Sequence, residues 1–148
     1  MALGLGQCTI EDCTSNYTNL ALISFADTAN RATQILEITW DSVYAMDADT
    51  GIYGPAIGEL WPIPLNPGSD TTVFIFQNYN DTDGSLEDSD TMWLRYQTVE
   101  RLLGLECGVD ISFRKLEVYE TTFDSAYVSD SIVTFDTEEN IILYLLKQ

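Results

Sequence analysis

The side chains in this chain that could do chemistry are carboxylates. Asp81, Asp83, Asp88 and Asp90 fall close together, with Gly84 and Glu87 between them. Acids spaced along a glycine-containing turn are what a hard divalent cation needs, since calcium takes six to eight oxygens at about 2.3–2.6 Å. The set read from this spacing is Asp81, Asp83 and Asp88, holding at most a weak, irregular Ca²⁺. No other cofactor is expected. The chain has no histidine. That removes Ser-His and Cys-His triads, and the side chain whose ordinary pKa lies nearest neutrality. Carboxylate pairs suited to glycoside hydrolysis arise by chance in so acidic a chain and carry no information. No glycine-rich phosphate loop is present. An enzyme is not expected.

Two short motifs partly match calcium-binding and protease patterns. Asp81, Asp83, Gly84, Glu87 and Asp90 take positions three, five, six, nine and twelve of an EF-hand loop, but Tyr79 takes position one. A tyrosine cannot supply that carboxylate, and the stretch follows a strand-like run instead of a helix. Asp49-Thr50-Gly51 matches the triplet of aspartic proteases, without the further glycine and apolar signals that family needs. An Asx-type turn is the expected state of the Asp47–Gly51 stretch.

Charge constrains partners more than any motif. Twenty-four acidic residues stand against six basic ones, a formal charge of −18 on 148 residues. A phosphate backbone is bound by Lys and Arg clusters, so direct nucleic-acid binding is not expected. Apolar runs such as Ile141–Leu146 fall short of the about 20 residues that cross a bilayer, and the opening Met1–Gln7 lacks the basic region of a signal peptide. No membrane partner is expected. The cysteines, Cys8, Cys13 and Cys107, are odd in number. Free thiols are the expectation, with a Cys8–Cys13 bridge as the alternative.

The elements that must position these groups read mainly as strands. Thr33–Trp40 is a plausible strand. Thr71–Gln77 is the clearest, with a Val-Phe-Ile-Phe centre that predicts burial on both faces. Val109–Glu120 alternates apolar and polar residues, and Tyr127–Asp136 with Asn140–Leu146 predicts a C-terminal hairpin. Prolines at 55, 62, 64 and 67 predict a long extended loop over 54–70, and turn-forming residues a second loop over 78–90. One inserted helix is predicted over about 90–103, because Met92, Tyr96, Val99 and Leu103 recur at helical spacing before Gly104. The fold expected is a single domain over 1–148 with an N-terminal arm at 1–7: mainly β, an antiparallel β-sandwich or barrel-like domain. Trp61, among the prolines, reads as a plug for the end of the sandwich in preference to an exposed aromatic platform.

The opening Cys8-Thr-Ile-Glu-Asp-Cys-Thr-Ser-Asn-Tyr-Thr18, leading through Arg31 into the Thr33–Trp40 run, resembles the start of small β-sandwich virion proteins of tailed phages. The resemblance covers about the first 40 residues. The chain departs from it by the extra Cys13 and by carrying no basic residue before Arg31. It implies a neck, tail or capsid-accessory subunit, made in a host cytoplasm and resident in the virion, whose partners are its own copies and other virion proteins. An assembly role through protein–protein contacts is therefore the functional expectation. The alternative is an acidic binding module, or a DNA mimic that occupies a basic host protein.

Overall fold

A computed structural model describes residues 20–28, 34–48, 51–133 and 138–146. In chain order the strands are β1 (Leu20–Asp27), β2 (Ile38–Trp40), β3 (Ser42–Ala45), β4 (Ala56–Gly58), β5 (Leu60–Pro64), β6 (Thr71–Tyr79), β7 (Leu86–Gly104), β8 (Gly108–Thr121), β9 (Ser125–Val128) and β10 (Ile141–Leu145). They form one four-stranded sheet in the order β5-β1-β10-β9, a second in the order β3-β6-β7-β8, and a small β2-β4 ribbon. Neither large sheet closes on itself, so the fold is β-sandwich-like and not a barrel. No helix among the described residues is long and apolar enough to cross a membrane.

Side-chain alternation assembles the core. Ala21, Ile23 and Phe25 of β1, with Ile141 and Leu143 of β10 and Trp61 and Ile63 of β5, join Phe74, Phe76, Met92, Leu94 and Tyr96 of the other sheet in one buried cluster. Phe74 and Phe76 are fully buried while Val73 and Ile75 are half-buried, so β6 has one core face and one partly covered face. The pairing is antiparallel with one exception: β1 and β10 run parallel, from Ile23 opposite Ile141 to Asp27 opposite Leu145. The two arms of the expected C-terminal hairpin do pair antiparallel as β9–β10, but β9 ends at Val128 instead of running to Asp136, Val133 bridges Phe113, and residues 134–137 lie outside the described residues.

Several expectations are corrected. The strand over Thr33–Trp40 is confined to Ile38–Trp40, with Ile35 making an isolated bridge to Ala26 and Thr33 outside the described residues. The helix over 90–103 is strand, because this stretch is the middle of β7 and bonds β6 on one side and β8 on the other. Met92, Leu94 and Tyr96 all face the core at strand spacing, and two neighbouring strands outweigh a local helical pattern. Gly104 precedes the three-residue turn Leu105–Cys107, and Gly108 adopts φ 76°, the left-handed residue such a turn requires. The loop over 54–70 contains β4 and β5. Proline survives in β5 because β5 is an edge strand, and the Pro62 carbonyl accepts a hydrogen bond from the Tyr53 hydroxyl instead of a ladder partner. The loop over 78–90 shrinks to residues 80–85, since β6 ends at Tyr79 and β7 starts at Leu86.

The proline-rich segment is tied down from the middle of β7. The buried Tyr96 hydroxyl donates to the Asn66 carbonyl at 2.9 Å, accepts from the Asn66 N–H at 3.1 Å and meets the Thr72 hydroxyl at 2.6 Å. Burial raises the Tyr96 pKa, so the hydroxyl keeps its proton and its donor role. Trp61 is buried, with its ring edge-on to Tyr53 at 5.2 Å and its N–H on the Gly58 carbonyl. It plugs the fold, as expected. The N-terminal arm 1–7, Cys8 and Cys13 lie outside the described residues, whereas Cys107 is disulfide-bonded, which corrects the expectation of a free thiol there.

Candidate binding cleft

The core-facing row of β7 turns acidic one pair before that of β6 runs out of apolar residues. Along the paired strands Phe74 stands opposite Met92, Phe76 opposite Asp90 and Asn78 opposite Asp88. Asp88 and Asp90 share the parity of Met92, Leu94 and Tyr96, so they continue the inward row past the end of the core. A cleft of about 420 Å³ opens there. Its walls add Glu37 and Ile38 beside β2, Thr122 and Asp124 after β8, and Leu145 at the end of β10.

An aromatic cluster makes the floor. Trp40 and Phe123 line the cleft and pack on Phe76, with ring centroids 5.4 and 5.5 Å away. Phe25 lies behind them, 5.7 Å from Trp40 and 5.8 Å from both Phe76 and Phe123. The Trp40 indole N–H is buried and has no hydrogen-bond partner among the described residues. Four carboxylates, from Glu37, Asp88, Asp90 and Asp124, stand around this floor.

Hydrogen bonds fix the acid wall. The Thr122 hydroxyl donates to Asp90 at 2.9 Å and accepts the Thr91 N–H at 2.8 Å, while the Thr122 N–H returns to the Thr91 carbonyl at 3.0 Å. Asp124 accepts from the Thr28 hydroxyl at 2.9 Å. Across the cleft the Asn78 side chain accepts the Asp41 N–H at 3.0 Å, and Asp41 in turn accepts the Tyr79 N–H. Partial burial raises the Asp90 pKa; Thr122 opposes the rise, and the like charges of Asp88 and Asp124 add to it. A cation placed among these three would relieve that cost.

The sequence-selected acids separate. Asp81 and Asp83 sit in the 80–85 turn, where Gly84 takes φ 70°. The Asp83 carboxylate accepts both the N–H and the hydroxyl of Ser85, at 2.9 and 2.6 Å, and these bonds lower its pKa. Asp88 lies on β7 and joins the cleft instead. Among the described residues no three Asp, Glu or Cys side chains are grouped to hold a metal ion. Spacing alone makes Asp90 an imperfect calcium ligand and gives no reason to single out Glu37 or Asp124. The missed signal was the parity of Asp88 and Asp90 with Met92 and Leu94, which appears once the stretch is taken as a strand.

Comparison with known families decides membership. The family of unknown function DUF6452 matches residues 42–145. The chain belongs to DUF6452. The DUF6452 match spans β3 to β10 and includes Asn78, Asp88, Asp90 and Asp124, while β1, β2 and Glu37 lie before it. No curated protein and no solved structure matches this DUF6452 chain.

Proposed function

We propose that this protein is a non-catalytic assembly subunit that works through protein–protein contacts, and that its cleft receives a cationic side chain of a partner. The observation that supports this most is the change from apolar to acidic along one inward-facing row, above an aromatic floor. A lysine or arginine entering there meets carboxylates at the wall and ring faces below, which combines charge pairing with a cation–π contact. The volume suits an organic group better than a bare ion, since ligand clefts run from about 300 to 1,000 Å³. The overall charge of −18 adds long-range attraction for a basic partner and opposes wrong encounters. The setting in a phage particle rests on the N-terminal resemblance alone, and most of that segment lies outside the described residues.

The test is titration of the whole protein with short Lys- or Arg-rich peptides and their neutral counterparts, read by tryptophan fluorescence at low and high salt. Basic peptides are expected to bind and to perturb Trp40, with affinity falling as salt rises. An Asp88→Asn/Asp90→Asn/Asp124→Asn variant is expected to lose at least tenfold in affinity. Unchanged affinity in that variant would remove the cleft as the docking point. The acid-mimicry alternative predicts binding spread over the whole anionic surface, and hence a small effect of the same three changes.

A further inference from the structure

We propose, resting on the reading of the cleft as a socket for a basic side chain, that the partner is a second copy of this chain, whose Arg114 and Lys115 enter the socket from a bulge on β8. The described cations divide into two kinds. Arg95 lies over the Tyr119 ring, 4.8 Å from its centroid, and Arg101 stands 3.7 Å from Asp110. Arg114 and Lys115 are exposed side by side and make no ion pair. Among the described residues they are the cations still open to an outside carboxylate.

A β-bulge turns both of them outward. Along the β7–β8 pair Arg95 faces Glu117 and Gln97 faces Arg114, so Lys115 and Leu116 together oppose Tyr96. Phe113 and Leu116 are both buried, which leaves the two residues between them on the outside. Lys115 takes φ 53°, the one positive value at a non-glycine residue among those described. Glycine is favoured in that conformation, so the lysine carries its charge there at a backbone cost. The bulge is clamped on either side. The Phe113 carbonyl accepts the Val133 N–H, and the Leu116 N–H donates to the Ser131 carbonyl, each at 3.0 Å. With the backbone already fixed, only the two side chains need ordering on docking.

This knob cannot reach the cleft of its own molecule. Gln97, opposite Arg114, lies well past Asp90 along β7, roughly 23 Å away at the rise of a strand, which is beyond the span of a side chain. Another copy brings the two cations to Asp88, Asp90 and Asp124 from outside. Copies of charge −18 repel at long range, but salt at physiological strength screens that repulsion beyond about 8 Å, and the contact itself pairs opposite signs.

The experiment is sedimentation velocity on the full chain at physiological ionic strength over a range of concentrations. The mass of the unchanged protein is expected to rise with concentration. Arg114→Gln/Lys115→Gln removes the knob, and Asp88→Asn/Asp90→Asn/Asp124→Asn removes the charge of the cleft; each should weaken association about tenfold or more. Mixed together, the two variants should form a 1:1 complex, since one intact knob and one intact cleft remain. Monomeric behaviour of the unchanged protein at every concentration would overturn the proposal. So would association that survives loss of the knob, or a mixture that stays monomeric. Titrating the knobless variant with a Lys-rich peptide keeps the two readings apart. Peptide binding without pairing between copies would sink self-docking and leave the cleft standing, whereas loss of both would remove the cleft as well.

Discussion

Strand β7 breaks the inside–outside rule at both ends, in opposite directions. Near its start it carries half-buried Asp90, and exposed Asp88 beyond it, on the row that farther along faces the core; near its finish it leaves Leu102 in water, opposite exposed Val109. Between them Met92, Leu94 and Tyr96 obey the rule and are buried. The acidic end rests on a packed aromatic floor and a hydrogen-bonded wall. Among the described residues the apolar end has no strand paired to it beyond the hairpin itself. The described basic residues, Arg95, Arg101, Arg114 and Lys115, all lie on β7 and β8, interspersed there with Glu100, Asp110, Glu117 and Glu120. Departures from patterning that cost stability tend to gather where a protein meets something else. Here the two departures lie at opposite ends of one strand.

The largest expected effect tests the floor. Phe76→Ala removes a fully buried ring that touches Phe25, Trp40 and Phe123, and should cost about 3–5 kcal/mol in urea denaturation. If the loss were no greater than for a surface change, the aromatic cluster would not be the rigid base described. Tyr96→Phe probes the middle of the strand. It leaves Asn66 and Thr72 without their shared hydroxyl and should cost about 1–2 kcal/mol, measured the same way.

Asp90→Asn is expected to move stability and binding in opposite directions. A carboxyl whose pKa is raised on folding binds its proton more tightly in the native state. Its cost is therefore absent at low pH, grows as pH rises through the carboxylate range, and is complete at neutrality. The variant should be the more stable protein at neutral pH and lose that advantage in acid, while binding basic peptides more weakly. A variant less stable at neutral pH would show that the Thr122 bond outweighs burial. The smallest effect belongs to the tip: Leu105→Ser, at a residue 98% exposed, should change stability by no more than about 0.5 kcal/mol.

Much of the fold was legible in the sequence because alternation is a local signal. Strands β6 and β8 and the β9–β10 pair follow directly from it. The stretch 90–103 misled because Met92, Tyr96, Val99 and Leu103 satisfy the helical period as well, and only pairing with β6 and β8 settles the matter. The prolines misled because an edge strand needs just one hydrogen-bonded flank, a fact of topology and not of composition. The parallel contact of β1 with β10 joins the two extremes of the described chain, which no local pattern reports. The site was half visible. Asp88 was chosen, but for a company of turn residues; Glu37 and Asp124 reach the cleft from distant segments, and only the assembled sheets bring them beside Asp90.

Pro62 and Pro64 carry a consequence for how this domain can meet another chain. The border strand β5 has few amide hydrogens to offer, and the carbonyl of Pro62 is already occupied by Tyr53. A strand arriving from outside would find its ladder at the other borders, β9, β3 or β8.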